Sequence, residues 1–421
     1  MIEADFQIVH AGQLVRVGTA RQEPGPRRRT ELSSTAIITD GALAARDGEI
    51  VWVGNNSLID REVALIPGGV SLDARSRVVT PGLVDAHTHP VFAAPRQAEF
   101  EMRAAGKTYQ EIAAAGGGIK TSVAATRADG LGALIERGTR VADRMLAMGT
   151  TTAEAKSGYG LSLDAEIKLL EAIREINALH SIDWVPTALA AHDFPPEYLQ
   201  YRDDYVTLIV EEILPAIAGR RLAEFNDIFF DTGVFDRAQT ERIQTRARSL
   251  GFGLKFHVDE LSDVDGAALA AQMGAVSADH LVYISPAGIA ALAGCPTVAV
   301  LLPGTAYFLD LPRRPPVRQM IQSGVAVAVA TDCNPGSNMT ESMPLAMNQA
   351  CVLYKMSPAE ALVAGTLNAA WAIGRADRIG SLAVGKQCDL VVWDAADYRE
   401  IAYHYGVDLA AMVIKNGKKV K

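Results

Sequence analysis

The chain has few cysteines and lacks the patterns of a disulfide-rich, secreted or nucleic-acid-binding protein. Only four cysteines occur in 421 residues, and no two form a CxxC pair. This excludes a cysteine zinc knuckle and argues against a disulfide framework, as expected for a reducing cytosol. The N-terminus is acidic and no apolar segment follows it, so we expect no signal peptide and a cytoplasmic protein.

Positive charge is also scarce. The 40 Lys and Arg residues against 49 Asp and Glu residues give a formal charge of −9. Because no long basic cluster is present, we expect no nucleic-acid partner. The short run Arg27–Arg29 stands among prolines and glycines, and we interpret it as a solvated loop.

Long uninterrupted apolar segments are missing as well. The uncharged stretch Leu281–Leu309 is long enough to span a bilayer, but prolines and glycines divide it. We interpret it as a buried strand, a short helix and a second buried strand, and we expect no membrane partner. A hydrophobic fraction of 49% and a charged fraction of 21% predict a soluble globular protein, not a disordered one.

The middle of the chain alternates apolar strand-like runs with amphipathic helical stretches such as Asp164–Ala178 and Thr240–Leu250. Eight successive β-then-α units predict a closed (β/α)8 TIM barrel. The predicted barrel strands are Val78–Ala86, Thr151–Lys156, Trp184–Ala190, Ile228–Asp231, Gly253–Val258, Val276–Leu281, Thr297–Leu302 and Val325–Thr331.

Both ends of the chain have short apolar runs separated by Gly, Asn and Asp turns. Neither end has enough apolar residues for a core of its own, so we expect them to fold together. The sequence therefore predicts an α/β protein. Its barrel covers residues 78–375, and a small discontinuous β-sandwich domain is built from residues 1–77 and 376–421.

Polar side chains gather at the carboxyl ends of the predicted barrel strands, where such barrels carry their chemistry. His87 and His89 stand two residues apart, so both can point to one side and bind one ion. His257 and Asp332, which end two other strands, are the natural third and fourth ligands. A cation bound there would lower the pKa of a water molecule to roughly 7. Five of the eight histidines lie at these strand ends: His87, His89, His192, His257 and His280.

Each of these features has an ordinary structural explanation when it is taken alone. A His-x-His pair often makes simple hydrogen bonds, and Asp332 in Thr-Asp-Cys-Asn-Pro-Gly could begin a turn. Together, on separate strands of one barrel, they indicate a metal site.

The order of these motifs resembles the amidohydrolase superfamily. Pro81-Gly-Leu-Val-Asp-Ala-His-Thr-His89, the later His257 and His280, and Thr331-Asp332 follow its pattern. Dinuclear members of that superfamily need a bridging Lys or Glu after a middle strand. The fourth strand here ends Phe229-Phe-Asp-Thr-Gly233, so the resemblance implies one Zn²⁺ or Fe³⁺ ion per chain, with the choice of metal left open.

A closer resemblance, to the imidazolonepropionase family, covers nearly the whole chain. It implies that water opens the ring of 4-imidazolone-5-propanoate to give N-formimidoyl-L-glutamate, a step of histidine degradation. The motifs that carry it are Arg96 seven residues after His89, Glu99-Phe-Glu-Met-Arg103, Ala115-Gly-Gly-Gly-Ile119, Ser157-Gly-Tyr-Gly160, His257-Val-Asp-Glu-Leu261, Ser277-Ala-Asp-His-Leu281 and Thr331-Asp-Cys-Asn-Pro-Gly-Ser337.

This resemblance implies roles for further residues. Glu260 would act as general base and hold the ring nitrogen, His280 would polarise the carbonyl, and either Glu260 or Asp332 would receive the proton of the water. Arg96 would bind the propionate tail through its planar guanidinium group. Further predicted substrate contacts are Tyr159, His192, Asn334, Gly336 and Ser337, and Gly116–Gly118 would form either a lid or a helix-ending turn.

Three other functions are compatible with parts of the pattern. A mononuclear deaminase of an aromatic amine or nucleobase would share the metal ligands but would not need Arg96. A non-catalytic scaffold or a metal-storage protein would not need all four ligands around an open coordination position. The remaining partner expected from sequence is a second copy of the chain, since barrels of this size commonly form homodimers.

Overall fold

The computed structural model describes residues 1–21, 24–107, 111 and 117–421. Its strands form two sheets of eight strands each, one a parallel barrel and the other a mixed sheet made from both ends of the chain. The strands are β1 Ile2–Val15, β2 Ile37–Arg46, β3 Glu49–Asn55, β4 Val63–Asp73, β5 Val78–Pro81, β6 Leu83–Asp85, β7 Thr150–Lys156, β8 Asp183–Ala191, β9 Phe225–Phe230, β10 Gly253–Val258, β11 Ser277–His280, β12 Val298–Leu301, β13 Ala326–Val329, β14 Leu390–Trp393, β15 Ala410–Lys415 and β16 Lys418–Lys419.

Helices cover the outside of the barrel. The predicted helix 164–178 is Leu163–Leu179, and the predicted helix 240–250 is Arg237–Ser249. The second begins three residues earlier than predicted because Asp236 and Gln239 form a capping box at its start. The other α-helices are Ile59–Glu62, Gln97–Ala104, Ile119–Ala128, Leu131–Ala147, Arg202–Leu208, Leu214–Arg220, Gly266–Gln272, Pro286–Ala293, Pro303–Phe308, Val317–Ser323, Met343–Tyr354, Pro358–Ala364, Leu367–Ala372 and Glu400–Tyr403.

The eight barrel strands run in sequence order from β6 to β13, which confirms the predicted TIM barrel. One predicted strand is wrong in extent. Residues 78–86 were expected as a single barrel strand, but β5 pairs with β14 in the terminal sheet and only β6 belongs to the barrel. Gly82 lies between the two strands, and it has no room for a side chain because a Cβ atom there would overlap the Thr151 side chain of the adjacent strand β7.

The barrel closes between the segments that follow β6 and β13. Thr88 bridges Cys333, the amide of His89 donates to the Cys333 carbonyl at 2.9 Å, and the amide of Asp332 donates to the His87 carbonyl at 3.0 Å. The closing seam therefore fixes three of the predicted metal ligands against one another.

The terminal sheet has the order β16-β15-β14-β5-β1-β2-β3, with β4 also paired to β1. Its buried residues come from both ends of the chain and include Phe6, Ile8, Leu43, Leu390 and Ile414. The two ends share one mixed sheet and one apolar cluster, which confirms the prediction that they fold together.

The Arg27–Arg29 run is not a solvated loop, so that interpretation was wrong. The half-buried Arg28 guanidinium donates to the carbonyl oxygens of Ala293, Cys295 and Gly324, at distances of 2.5 to 3.0 Å. These carbonyls lie at the ends of two barrel helices, where backbone acceptors lack helical partners. Within the described part of the chain, no helix is long and apolar enough to cross a membrane.

Candidate active site

Three histidines and one aspartate converge at the carboxyl end of the barrel. The Nε2 atoms of His87 and His89 lie 3.6 and 3.7 Å from the same oxygen of Asp332, Oδ1. The ring centroid of His257 lies 4.5 Å from that of His87 and 5.5 Å from that of His89. All four side chains are buried, so the predicted ligands occupy one small region.

The donor atoms in this region fit a bound cation. His87 Nε2 and His257 Nε2 are buried and have no hydrogen-bond partner among the residues that the structure describes. Burial has the largest effect on the pKa values of His87 and His89 and lowers both well below 6.5. Both rings are therefore neutral and can coordinate a metal. Asp332 presents one oxygen to the histidines, while its other oxygen accepts hydrogen bonds from Thr305 and Ser337.

Two aspartates stand behind the histidines: Asp279 is hydrogen-bonded to His87, and Asp227 is in ion-pair contact with His257. Asp279 Oδ2 lies 2.6 Å from His87 Nδ1, and Asp227 Oδ2 lies 3.0 Å from His257 Nδ1. In metal sites, a carboxylate at one ring nitrogen selects the tautomer that leaves the other nitrogen free for the metal. Sequence analysis gave neither aspartate a role. A signal for them was present in the sequence, because a carboxylate inside a strand that is buried on both faces needs a buried partner.

Glu260, the predicted base, and His280, the residue predicted to polarise the carbonyl, lie next to each other. Glu260 Oε1 is 3.5 Å from His280 Nδ1, and both side chains are largely buried. Burial, with Asp332 and Asp231 nearby, raises the pKa of Glu260 well above its ordinary value. Burial also lowers the pKa of His280 well below 6.5, so the ring is neutral. A carboxylate of raised pKa is a suitable proton acceptor near neutral pH.

Asp231 holds the segment that carries Glu260, and sequence analysis missed it. Its Oδ2 accepts hydrogen bonds from the amides of Glu260 and Leu261, both at 2.8 Å, and its Oδ1 accepts one from the Ser262 hydroxyl at 2.7 Å. Glu166 does the same for the loop of Tyr159, through the amides of Gly158, Gly160 and Leu161. Buried carboxylates thus fix the loops that carry the reactive side chains.

Arg96 reaches the loop that follows β13. Its guanidinium lies so close to Gly336 that a Cβ atom on that glycine would overlap Arg96 Nη2. The side chain is 12% exposed, its only ion pair is with Glu99 at 3.8 Å, and its buried Nε has no partner among the described residues. The cation therefore retains free donors at the barrel mouth.

Tyr159 and His192 contact the histidines of the candidate metal site. His192 stacks on His89 with ring centroids 5.1 Å apart, and Tyr159 lies 5.5 Å from His192. The Nδ1 of His192 is 3.0 Å from the Gly158 carbonyl, which makes Nδ1 the donor and leaves Nε2 as an acceptor. Burial lowers the pKa of His192 to about 3, so the ring is neutral.

The loop of Asn334, Gly336 and Ser337 lies where predicted, but its polar groups are used internally. The Asn334 amide donates to the Asp332 carbonyl and to the Ser337 hydroxyl, and its oxygen accepts from the amides of Gly336 and Ser337. The Gly336 carbonyl accepts from Arg103. Asn334 therefore stabilises the loop through its hydrogen bonds, and Gly336 leaves space for the Arg96 guanidinium.

Gly116, the first residue of the predicted glycine lid or turn, lies outside the described residues. Gly118 precedes the helix Ile119–Ala128 with a φ of 94°, and its amide donates to Glu99 Oε1 at 2.8 Å. This hydrogen bond connects the glycine segment to the helix that follows Arg96.

Comparisons with known proteins agree with this arrangement over the full length of the chain. The sequence model of the Amidohydrolase family matches residues 276–420. The chain is 48% identical to the imidazolonepropionase of Symbiobacterium thermophilum, with 100% of this chain and 98% of that protein covered. It is 46% identical to the imidazolonepropionase of Geobacillus kaustophilus, with 97% and 96% covered.

Solved structures with the same fold are more distant in sequence. An adenosine deaminase from Xanthomonas campestris with bound zinc has a TM-score of 0.73 at 22% identity, over 99% of this chain and 93% of that one. The guanine deaminase of E. coli has a TM-score of 0.72 at 18% identity, over 99% of both chains. At these identities the likeness is one of fold alone.

Proposed function

Because the chain belongs to the imidazolonepropionase family of amidohydrolases, we propose that it opens the cyclic amide ring of 4-imidazolone-5-propanoate with water. The product is N-formimidoyl-L-glutamate, and the reaction belongs to histidine degradation. One observation carries the choice of substrate. Arg96 places a guanidinium with free donors at the barrel mouth, beside the loop that holds Asp332. A fork of this kind matches the carboxylate of a propionate tail.

The four converging ligands support one cation per chain, held by His87, His89, His257 and Asp332. When bound, it would activate a water molecule for attack on the ring carbonyl carbon. Neutral nitrogen and carboxylate donors suit both Zn²⁺ and Fe³⁺, and metal analysis of the purified protein distinguishes them.

The residues around the candidate metal site have separate proposed roles in the reaction. Glu260 accepts a proton from the water at its carboxylate and passes it to the ring nitrogen, because burial raises the pKa of this carboxyl and it lies beside His280. His280 donates toward the carbonyl oxygen, where negative charge develops. Asp332 is the alternative proton acceptor, and burial raises its pKa to about 6. Tyr159, His192 and Ser337 surround the ring, and the loop held by Asn334 and Gly336 orients Arg96.

The decisive experiment offers the imidazolone to purified protein and follows loss of its ultraviolet absorbance, with the formimino product identified by mass. We expect turnover that depends on the carboxylate tail. Turnover of an aromatic amine or nucleobase, with none of the imidazolone, would instead establish the deaminase alternative. Failure of R96A to alter discrimination between tailed and tail-less substrates would remove Arg96 from the site.

Two further properties stay predictions. We propose a homodimer, which light scattering on a sizing column tests directly. We also propose that the enzyme is cytoplasmic. The four cysteines are free, as is typical of proteins in a reducing compartment: Cys295, Cys333, Cys351 and Cys388. Cell fractionation with an antibody against the chain tests this location.

A further inference from the structure

Five charged side chains form a cluster inside the barrel, directly beneath the metal-site histidines. They are Glu154, Lys156, Asp227, Lys255 and Asp279, and each is fully buried. Three carboxylates and two ammonium groups leave the cluster with a net charge of minus one. Burying this many charges costs free energy that good pairing geometry has to offset, so the contacts within the cluster matter.

Lys156 is the centre of this cluster. Its Nζ lies 2.5 Å from Asp227 Oδ2, 2.9 Å from Glu154 Oε2 and 3.8 Å from Asp279 Oδ2. Asp227 and Asp279 are the two carboxylates that contact the Nδ1 atoms of His257 and His87. A single ammonium group therefore connects the supports of two metal ligands that come from strands on different parts of the barrel wall.

Lys255 is equally buried but is connected differently. Its Nζ pairs with Glu154 at 2.8 Å and otherwise donates to the backbone carbonyls of Ala86 and Ala372. It makes no ion pair with either aspartate behind the histidines. The two lysines thus share one carboxylate partner and differ in their contacts with the metal-ligand supports.

We propose that Lys156 is a positioning residue for the metal site: its ammonium holds Asp227 and Asp279 together, so that the rings of His257 and His87 aim their Nε2 atoms at one cation. This inference rests on the metal site of the proposed function. In both aspartates one oxygen, Oδ2, contacts the Lys156 ammonium and the imidazole Nδ1 together, so the ammonium fixes the oxygen that the ring faces. Without the ammonium, two neighbouring buried carboxylates repel each other and their rings lose a common orientation.

The test compares two double variants with the same net charge. E154Q/K156M and E154Q/K255M each leave two carboxylates and one ammonium in the cluster. Only the first removes the connection between Asp227 and Asp279. For each variant and the wild type, the metal is removed by chelation. Zn²⁺ affinity is then measured by competition with a chromophoric chelator, and the visible spectrum of the Co²⁺ form is recorded.

We expect E154Q/K156M to bind Zn²⁺ about 10- to 100-fold more weakly than wild type, as is typical when a group behind a metal ligand is lost. Its Co²⁺ absorption bands should shift, because one ligand is misoriented. E154Q/K255M should stay within about threefold in affinity with an unchanged Co²⁺ spectrum. Equal losses in the two variants, or no loss in either, would overturn the proposal.

A third variant covers the case in which E154Q/K156M does not fold. K156R keeps the charge but replaces the compact ammonium with a planar fork that cannot meet three carboxylates in the same geometry. It should also bind Zn²⁺ more weakly and shift the Co²⁺ bands, and wild-type values for both would overturn the proposal. A wild-type protein that binds no cation, or that fails to open the imidazolone, would refute the proposed function instead.

Discussion

Replacing Gly336 with alanine should separate substrate binding from stability. A Cβ atom at this position would overlap the Arg96 guanidinium, so the arginine has to move away from the loop. The backbone of Gly336 is not in the left-handed region, so alanine adopts it without strain. Alanine also reduces the freedom of the unfolded chain, which stabilises by about 0.4 to 1 kcal/mol at compatible sites. We therefore expect an unchanged or slightly higher Tm.

Catalysis should respond differently. A hydrogen bond to a charged group contributes about 1.5 to 3 kcal/mol, and each ~1.4 kcal/mol is a factor of ten in affinity. Displacing Arg96 should therefore raise the KM for the imidazolone by roughly 10- to 150-fold. The kcat should change little, since the tail contact is made in both ground and transition states.

The assay is steady-state kinetics of G336A, R96A and G336A/R96A with the imidazolone and with an analogue that lacks the propionate tail. The analogue should react equally well with G336A and wild type. The double variant should be no worse than R96A, because both changes remove one interaction. An unaltered KM in G336A, or losses that add in the double variant, would refute this account of Gly336.

Three further predictions use other parts of the structure. R28A should lower the free energy of unfolding by about 2 to 3 kcal/mol in urea titrations, because three carbonyl oxygens lose their charged donor. The exposed Arg29 is the control, and R29A should change the free energy of unfolding by less than about 0.5 kcal/mol. D231N should lower kcat and move the acid limb of the pH profile of kcat/KM to lower pH. The reason is that removing a negative neighbour lowers the raised pKa of Glu260. If the limb does not move, Glu260 is not the titrating base. Chelation should abolish turnover and lower Tm, with both restored by Zn²⁺ or iron; full activity in metal-free protein would contradict the metal site.

Much of the architecture followed from local patterns. Parallel barrel strands are buried on both faces, so their apolar runs stand out in the sequence, and the helix periodicity between them is equally regular. The first strand was the exception. Its apolar pattern continues from Val78 to Ala86, and only the pairing of β5 with β14 and of β6 with β7 shows that the chain changes sheets there.

Part of the candidate site also followed from the sequence, and part of it is shown only by the tertiary structure. Residue type and position at strand ends were enough to bring His87, His89, His257 and Asp332 together, because the carboxyl ends of parallel strands share one face of the barrel. The tertiary structure alone gave the contacts behind them. Asp279 supports His87 across 192 positions of sequence, and that pairing depends on strand register and side-chain direction.

Sequence by itself therefore determined the fold class, the residue types of the candidate site and the face on which they meet, since these depend on hydrophobic periodicity and on the order of strands. Only the folded chain decided which groups still have free donors. Asn334 makes its hydrogen bonds inside its own loop, Arg28 binds the ends of barrel helices, and Lys156 connects two aspartates. Each of these roles depends on distances between residues far apart in sequence, which close packing of the barrel fixes and local pattern does not encode.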